Sequence, residues 1–460
     1  MNKWQGKKIL VIGAARQGTA ASRYLAKKGA SVTLNDARPS SDFIQIEQQF
    51  AGLGIAFHFG GHPFELLEDM DYVCISGGVP LTLPLVKKAR EMNIPLTNDS
   101  QLFMEEVRGR VIGITGSAGK TTTTTLLGAI AKKYLQPPQS AWVGGNIGTP
   151  LISYLDEIKS DDWVILELSS FQLELMTISP QIAVVLNITP NHLDRHLSMK
   201  AYTQAKARII SFQKKGDIAI LNRDNPGSMS LNEIVPGTLI TFGFKESKNH
   251  PTDVFLGEDS IKIKSGNKII GSIPSKAVQL LGRHNLSNAM AACCAAHAAG
   301  FSIESMYEGI HSITSIPHRL ELVQEHRGIR WINDSIATAP ERVIAALRAV
   351  NGKTVLLLGG RDKDLPWKDL ASVLHEEQPK VILFGEAAGL IAKQLKEFEG
   401  GKLPYQVLHT GTMEEAVQKA SSVAESGDTV LLSPGGTSFD AYRDFEERGE
   451  HFRQLVEALV

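Results

Sequence analysis

Gly113-Ile114-Thr115-Gly116-Ser117-Ala118-Gly119-Lys120-Thr121 is the segment whose residue types and spacing speak most directly of chemistry. Glycines in a strand-to-helix turn let successive backbone N–H groups converge on phosphate oxygens. A lysine then adds a point charge, and the hydroxyl after it can hold Mg²⁺. The spacing departs from the strict G-x-x-x-x-G-K-[ST], because Ile114 stands five places before Gly119, and Gly116 supplies the turn instead. The bland alternative is a glycine-rich turn with an exposed lysine. The strand-like run 111–115 on one side and the threonines up to Thr125 on the other favour a nucleotide. Gly116, Ser117, Gly119, Lys120, Thr121 and Thr122 are then the phosphate-binding residues.

Glu167 lies at the end of the apolar run 163–168 and precedes Ser169 and Ser170. A carboxylate at the carboxyl end of a parallel strand, beside a phosphate loop, is where Mg²⁺ needs an oxygen ligand. Without that loop, a capping acid for the next helix would serve as well. His192-Leu193-Asp194-Arg195-His196 sets two histidines four apart, on one face of a helix. A zinc protease needs Glu after the first histidine, and Leu193 stands there. One histidine near a Mg²⁺ site, or a plain helix cap, suits the segment better.

Near the amino terminus, Gly13-Ala14-Ala15-Arg16-Gln17-Gly18 follows an apolar run. It is like a dinucleotide fingerprint, with Ala15 where a second glycine would let the pyrophosphate approach. Asp36 follows the second such run, where an acid could bind a ribose or sugar hydroxyl; helix-on-sheet packing is the plain alternative. Further on, Asn333-Asp334-Ser335, Gly359-Gly360-Arg361-Asp362-Lys363 and Ser433-Pro434-Gly435-Gly436-Thr437-Ser438 each follow a predicted strand. Three polar loops leaving one edge of a parallel sheet imply a ligand crevice there. Cys293, Cys294 and His297, on an alanine-rich helix, read as core packing.

The elements that must position these residues alternate. Strands are expected at 9–12, 31–34, 72–75, 111–115, 163–168, 182–188, 218–221, 329–332, 354–358, 380–384, 406–408 and 429–432. Helices are expected at 19–28, 193–212, 286–300 and 442–460. Buried aliphatic strands alternating with helices give an α/β chain with parallel sheets. The stretch 236–275 reads as a small antiparallel excursion. At roughly 150 residues per domain, 460 residues make about three domains. Lys and Arg number 48 against 49 Asp and Glu, which argues against a general nucleic-acid or membrane-surface binder. Three cysteines cannot form a disulfide framework, and no apolar run is long enough for a membrane span or signal peptide, so a cytoplasmic protein is expected.

Taken in order, 13–18, 116–121, Gly144-Gly145-Asn146-Ile147-Gly148, 167–174, 187–196, His284-Asn285 with Asn288, His318-Arg319, 333–338 and 438–452 resemble the Mur ligase family along essentially the whole chain. The resemblance implies three α/β domains. These are a Rossmann-like domain for the UDP substrate (1–104), a central phosphate-loop ATPase with a parallel sheet plus a small antiparallel one (105–314), and a Rossmann-like carboxyl-terminal domain (315–460). It implies an ATP-dependent ligase of peptidoglycan synthesis, working as a monomer, that adds D-glutamate to UDP-N-acetylmuramoyl-L-alanine. ATP would phosphorylate the substrate carboxylate, and the glutamate amine would displace phosphate from the acyl phosphate. A carboxylate is a poor electrophile, so its oxygen must first become a leaving group; the protein supplies positioning and charge neutralisation.

Carried over by position, Lys120 touches the terminal phosphates, and Thr121 and Glu167 hold Mg²⁺. His192 matches a ligand of a second Mg²⁺, and Lys206 matches a lysine that is carbamylated to help hold that metal. The residues alone make Lys206 a surface helix lysine. Asn288, Arg319 and Asp334 match ATP contacts. Gly18, Asp36, Arg38, Asn146 and Ser169 match the UDP-substrate side, and Thr338, Lys363, Ser438 and Phe445 the glutamate pocket. Ala118 departs from the family's Asn, Ser76-Gly77-Gly78 from its Ser-Pro-Gly, and Ile336 from the lysine of Asp-Ser-Lys-Ala-Thr. Ile336 removes a charge beside the amino-acid site and leaves the glutamate enantiomer open, with ligases that add L-glutamate, or that build folate polyglutamates, as alternatives. Asp224-Asn225-Pro226 lies in the central block and runs into Gly227, so a diaminopimelate-adding signature is missing from the last block. An NAD-dependent oxidoreductase is disfavoured by Ala15.

Overall fold

Short aliphatic runs such as Ile9, Leu10, Val11 and Ile12 become strands sealed on both faces, every one of these side chains being buried. The computed structural model describes residues 2–191, 193–398 and 403–459. It contains three sheets. In the first, β1 (Lys8–Ile12), β2 (Ser31–Asp36), β3 (Ala56–Phe59), β4 (Tyr72–Ile75) and β5 (Leu96–Thr97) run parallel in the order β3-β2-β1-β4-β5. Strand order reverses between β1 and β4, which opens a crevice beyond their carboxyl ends. The helix Arg16–Lys27 packs tightly there: a Cβ on Gly18 would overlap the Gly13 carbonyl oxygen.

The second sheet comprises β6 (Arg110–Thr115), β7 (Ala141–Gly145), β8 (Trp163–Glu167), β9 (Ile182–Val185), β10 (Ile218–Asn222), β11 (Thr238–Gly243), β12 (Thr252–Leu256), β13 (Ser260–Ser265) and β14 (Lys268–Pro274). Their order is β14-β13-β12-β11-β10-β9-β6-β8-β7. The antiparallel excursion is present from β12 to β14, but it extends the main sheet instead of standing apart, because β11 and β12 continue the parallel ladder from β10. Polar ties join the extension: fully buried Asp253 on β12 accepts from Thr241 on β11 and pairs with Arg223 just past β10 (2.9 Å). The helix expected over 193–212 is two helices, Leu193–His196 and Met199–Ser211, broken where Leu197 takes a left-handed φ of 60° and Ser198 caps the second.

The third sheet orders β15 (Glu321–His326), β16 (Ile329–Asn333), β17 (Thr354–Gly359), β18 (Lys380–Phe384), β19 (Val407–His409) and β20 (Thr429–Gly435) as β15-β16-β20-β17-β18-β19, parallel except for β15. Met1–Val278 with Leu286–Ser312 forms one compact unit holding the first two sheets; Gln279–Asn285 with Ile313–Val460 forms another around the third. Among the described residues no helix is long and apolar enough to cross a membrane.

Candidate active site

In the first unit, β6 runs into the turn 116–119 and the helix Lys120–Tyr134 begins directly after it. Gly119 sits at φ 85°, and a Cβ there would overlap the Asn288 side-chain oxygen, so glycine is required twice over. Asn288 is thereby seated against the turn 116–119. The loop is held from the neighbouring strand end, where Asn187 Oδ1 accepts from Ala118 N (2.8 Å) and its Nδ2 donates to Ala118 O (3.0 Å). Ser117 Oγ donates to Thr189 O (3.0 Å) and shares a hydrogen bond with Tyr202 Oη (3.0 Å). Thr122 is buried behind the loop, in the first turn of the helix.

Two lysines meet on one carbonyl. Lys120 Nζ and Lys206 Nζ both donate to Gly116 O, at 2.9 and 3.0 Å, and Lys206 also reaches Thr115 Oγ1 at 3.4 Å. Lys206 is 1% exposed, so the surface-lysine alternative fails. Burial pushes its ammonium well below the ordinary lysine value, and the Lys120 charge lowers it further against the opposing pull of Glu167. Its Nζ also stands 4.7 Å from the centre of the Tyr202 ring, four residues earlier on the same helix face.

Glu167, 1% exposed, ends β8 beside β6. Its two oxygens accept from Thr121 Oγ1 (2.9 Å) and Asn146 Nδ2 (3.0 Å). A carboxylate and a hydroxyl converge here, hard oxygens that fit Mg²⁺, and the Asn146 amide N–H orients the carboxylate. Among the described residues, no three His, Cys, Asp or Glu gather as a metal-binding group. His192 lies outside the described residues. His196 is buried, with Nε2 on Ser170 Oγ (2.9 Å) and Nδ1 3.2 Å from Glu174 Oε1. Ser169 caps the helix Ser170–Leu173 in a reciprocal box with Gln172.

At the first sheet's crevice, Asp36 is mostly buried and accepts from Ala14 N (2.8 Å), while Arg38 pairs with both its oxygens (3.1 Å). Burial alone would raise this carboxyl, but the Arg38 guanidinium and the two backbone N–H groups outweigh it and hold it below 3.8. Asp36 is therefore already engaged in shaping the turn, and packing accounts for Gly18.

In the second unit, the three polar loops do leave adjacent strand ends, since Asn333 is level with Leu432 and Gly359 with Gly435. Arg361 and Thr437 exchange backbone hydrogen bonds (2.8 Å each), tying two of the loops together. Asp334 accepts from Ser433 Oγ (3.0 Å) and Leu320 N (3.3 Å), and burial pushes its carboxyl up to about 7 against those bonds and the Arg319 charge. Ser438 is buried, Thr338 and Phe445 half-buried, and Lys363 exposed on its loop. The motifs gave no role to Asn187, Tyr202, Ser335 or Arg448, although all but Tyr202 lie inside quoted segments. The four-residue spacing of Tyr202 and Lys206 carried a signal for one; the others depend on strand order or on contacts across the sheet.

The Mur ligase MurD-like N-terminal domain matches residues 7–98, the Mur ligase middle domain 114–296, and the Mur ligase glutamate ligase domain 318–436. A UDP-N-acetylmuramoylalanine--D-glutamate ligase of Pelotomaculum thermopropionicum is 40% identical, covering 98% of each chain. One from Koribacter versatilis is 37% identical over 99% of this chain and 98% of that one. In fold, the solved UDP-N-acetylmuramate-alanine ligase MurC of Thermotoga maritima aligns at a TM-score of 0.62 and 18% identity, over 99% of this chain and 100% of that one. With three domain matches following one another along the sequence and curated relatives similar over almost its full length, the chain belongs to the Mur ligase family.

Proposed function

We propose that this protein joins D-glutamate to UDP-N-acetylmuramoyl-L-alanine at the expense of ATP, in the cytosol, as a step of peptidoglycan synthesis. The observation that carries the chemistry is the convergence of Lys120 and Lys206 on the Gly116 carbonyl, beside a buried Glu167 bonded to the Thr121 hydroxyl. The full-length similarity to D-glutamate ligases supports the substrates. An oxygen of the UDP-linked alanyl carboxylate attacks the γ-phosphorus, ADP leaves, and an acyl phosphate forms. The glutamate amine then adds to the acyl carbon, loses a proton, and phosphate departs from the tetrahedral intermediate.

The residues divide that work by charge. Lys120 and the N–H groups of the turn receive the phosphate charge that builds on transfer. Thr121 and Glu167 would hold Mg²⁺, which supplies further neutralisation of the transferring phosphoryl group. Lys206 as an ammonium cannot ligate a metal. Its burial favours the neutral amine, the form that attacks CO₂; a new N–C bond and release of one proton then turn it into a carbamate. That carboxylate, with His192, would hold a second Mg²⁺. Asn146 and Ser169 stand on the acceptor-substrate side, with Gly18, Asp36 and Arg38 shaping the UDP crevice. Thr338, Lys363, Ser438 and Phe445 form the glutamate pocket, and Asn288, Arg319 and Asp334 attend the nucleotide. The test is phosphate release with ATP, Mg²⁺ and the UDP-alanyl substrate across a panel of amino acids including both glutamate enantiomers. Turnover with D-glutamate alone is expected; turnover with L-glutamate alone would overturn the enantiomer, and none with either would overturn the assignment.

A further inference from the structure

We propose that Arg448 is a positioning residue that fixes the preference for an acidic amino acid, an assignment resting on the glutamate-ligase reading above. Arg448 lies three residues into the helix Phe445–Glu457 and is fully buried, at 0% exposure. Its guanidinium donates from Nε to Ser335 Oγ (3.0 Å), from Nη2 to Ser335 O (2.8 Å) and from Nη1 to Gly436 O (3.2 Å). Ser335 in turn donates to the Phe445 carbonyl (2.9 Å). A Cβ on Gly360 would come within 2.8 Å of Arg448 Nη1, so the third loop rests on the same group. One side chain therefore joins the loops that follow β16 and β20 and supports the one that follows β17.

Among the described residues, every hydrogen-bond partner of this cation is neutral. Taking a charge out of water without an opposite charge beside it is costly, and neutral donors would join the loops at lower cost. Asp440 is the main negative charge acting on it, without a hydrogen bond to it, and its carboxylate accepts from Glu386 N (3.3 Å). Burial pushes the guanidinium down to about 10, which leaves it charged at neutral pH. The fold thus keeps a buried positive charge, with no carboxylate hydrogen-bonded to it, against the three loops. Ser438 follows two residues after Gly436, and exposed Lys363 three after Gly360, on those same loops. A dicarboxylic amino acid bound at those loops supplies a carboxylate that this cation attracts.

The experiment compares full-length wild type, Arg448→Lys and Arg448→Met for kcat, for KM toward glutamate and ATP, and for Tm. Arg448→Met is expected to raise the glutamate KM at least ~30-fold with the ATP KM within ~3-fold, and Arg448→Lys, which keeps the charge, to stay within ~5-fold of wild type. A lower Tm and kcat in Arg448→Met with an unmoved glutamate KM would make the residue a structural tie and overturn the proposal. Should Arg448→Met fail to fold, Ser335→Ala, which removes one acceptor of the guanidinium, is expected to raise the glutamate KM ~3-fold or more; an unchanged value overturns the proposal equally. Wild type without glutamate turnover would overturn the ligase reading itself before any variant is compared.

Discussion

Replacing Lys206 by Met should move stability and activity in opposite directions. The native amine is 1% exposed, and its hydrogen bonds go to the Gly116 carbonyl (3.0 Å) and, at greater length, the Thr115 hydroxyl (3.4 Å). Losing them costs about 1–2 kcal/mol. Against that stands the desolvated ammonium, disfavoured by burial and by Lys120, whose replacement by an apolar group of similar volume returns about 1–4 kcal/mol. The methionine stem keeps its packing on the Tyr202 ring. In CO₂-depleted buffer near neutral pH, the variant should therefore match wild type or exceed it by about 1–2 kcal/mol, a rise of a few degrees in Tm. Because the folded value lies below that of the unfolded chain, the penalty is full at low pH and fades as pH rises toward 10.5, so the advantage should shrink in alkaline buffer. Turnover should fall at least ~100-fold, since methionine cannot form the proposed carbamate. Differential scanning fluorimetry and phosphate release measure the two quantities. A loss of more than about 2 kcal/mol together with near-wild-type turnover would refute the reasoning.

Lys206→Ala should be inactive and regain part of its turnover with added formate or acetate, which restore a carboxylate to the cavity; unchanged activity in that variant would remove the carbamate role. Glu167→Gln keeps the shape of the contacts with Thr121 and Asn146 but loses the charge, so kcat should fall about 10²–10³-fold with a higher Mg²⁺ requirement, read from Mg²⁺ titrations of phosphate release. Lys363→Met should weaken glutamate by about 30-fold or more in KM and leave the ATP KM unmoved in steady-state kinetics. Asp99 is buried with Oδ1 lacking a hydrogen-bond partner among the described residues, and burial pushes its carboxyl up to about 7. The folded protein holds a proton there that the unfolded chain releases near 3.8, so stability is lost as pH rises from about 4 through 7. Asp99→Asn should match wild type near pH 4 and exceed it at pH 8, by at most about 4 kcal/mol, in denaturant titrations at both values.

Much of the proposed phosphate site could be read directly from residue order. A phosphate loop is one continuous piece of chain whose glycines, lysine and hydroxyl act through their own backbone, so Gly116, Gly119, Lys120 and Thr121 need no distant partner to be recognised. The strand ends at 75 and 384 were likewise legible, because a strand sealed on both faces leaves an unbroken aliphatic run. The break at Leu197 and the merging of 236–275 into the main sheet were not, since one turns on a single left-handed residue and the other on which strand the new ones pair with.

What the sequence by itself determined was the chemistry on offer: a glycine-rich turn suited to phosphate, a carboxylate after a buried strand, and three polar loops after three others. Tertiary structure alone decided which of these groups act on one another. Lys206 looks like a surface residue until the helix Met199–Ser211 buries it against Gly116, and Arg448 looks like one more helix charge until it closes under Ser335 and Gly436. Burial and pairing belong to contacts between residues roughly ninety to a hundred and thirteen places apart in the chain, and it is those contacts, setting the local dielectric, that turn an ordinary side chain into a buried amine or a buried cation.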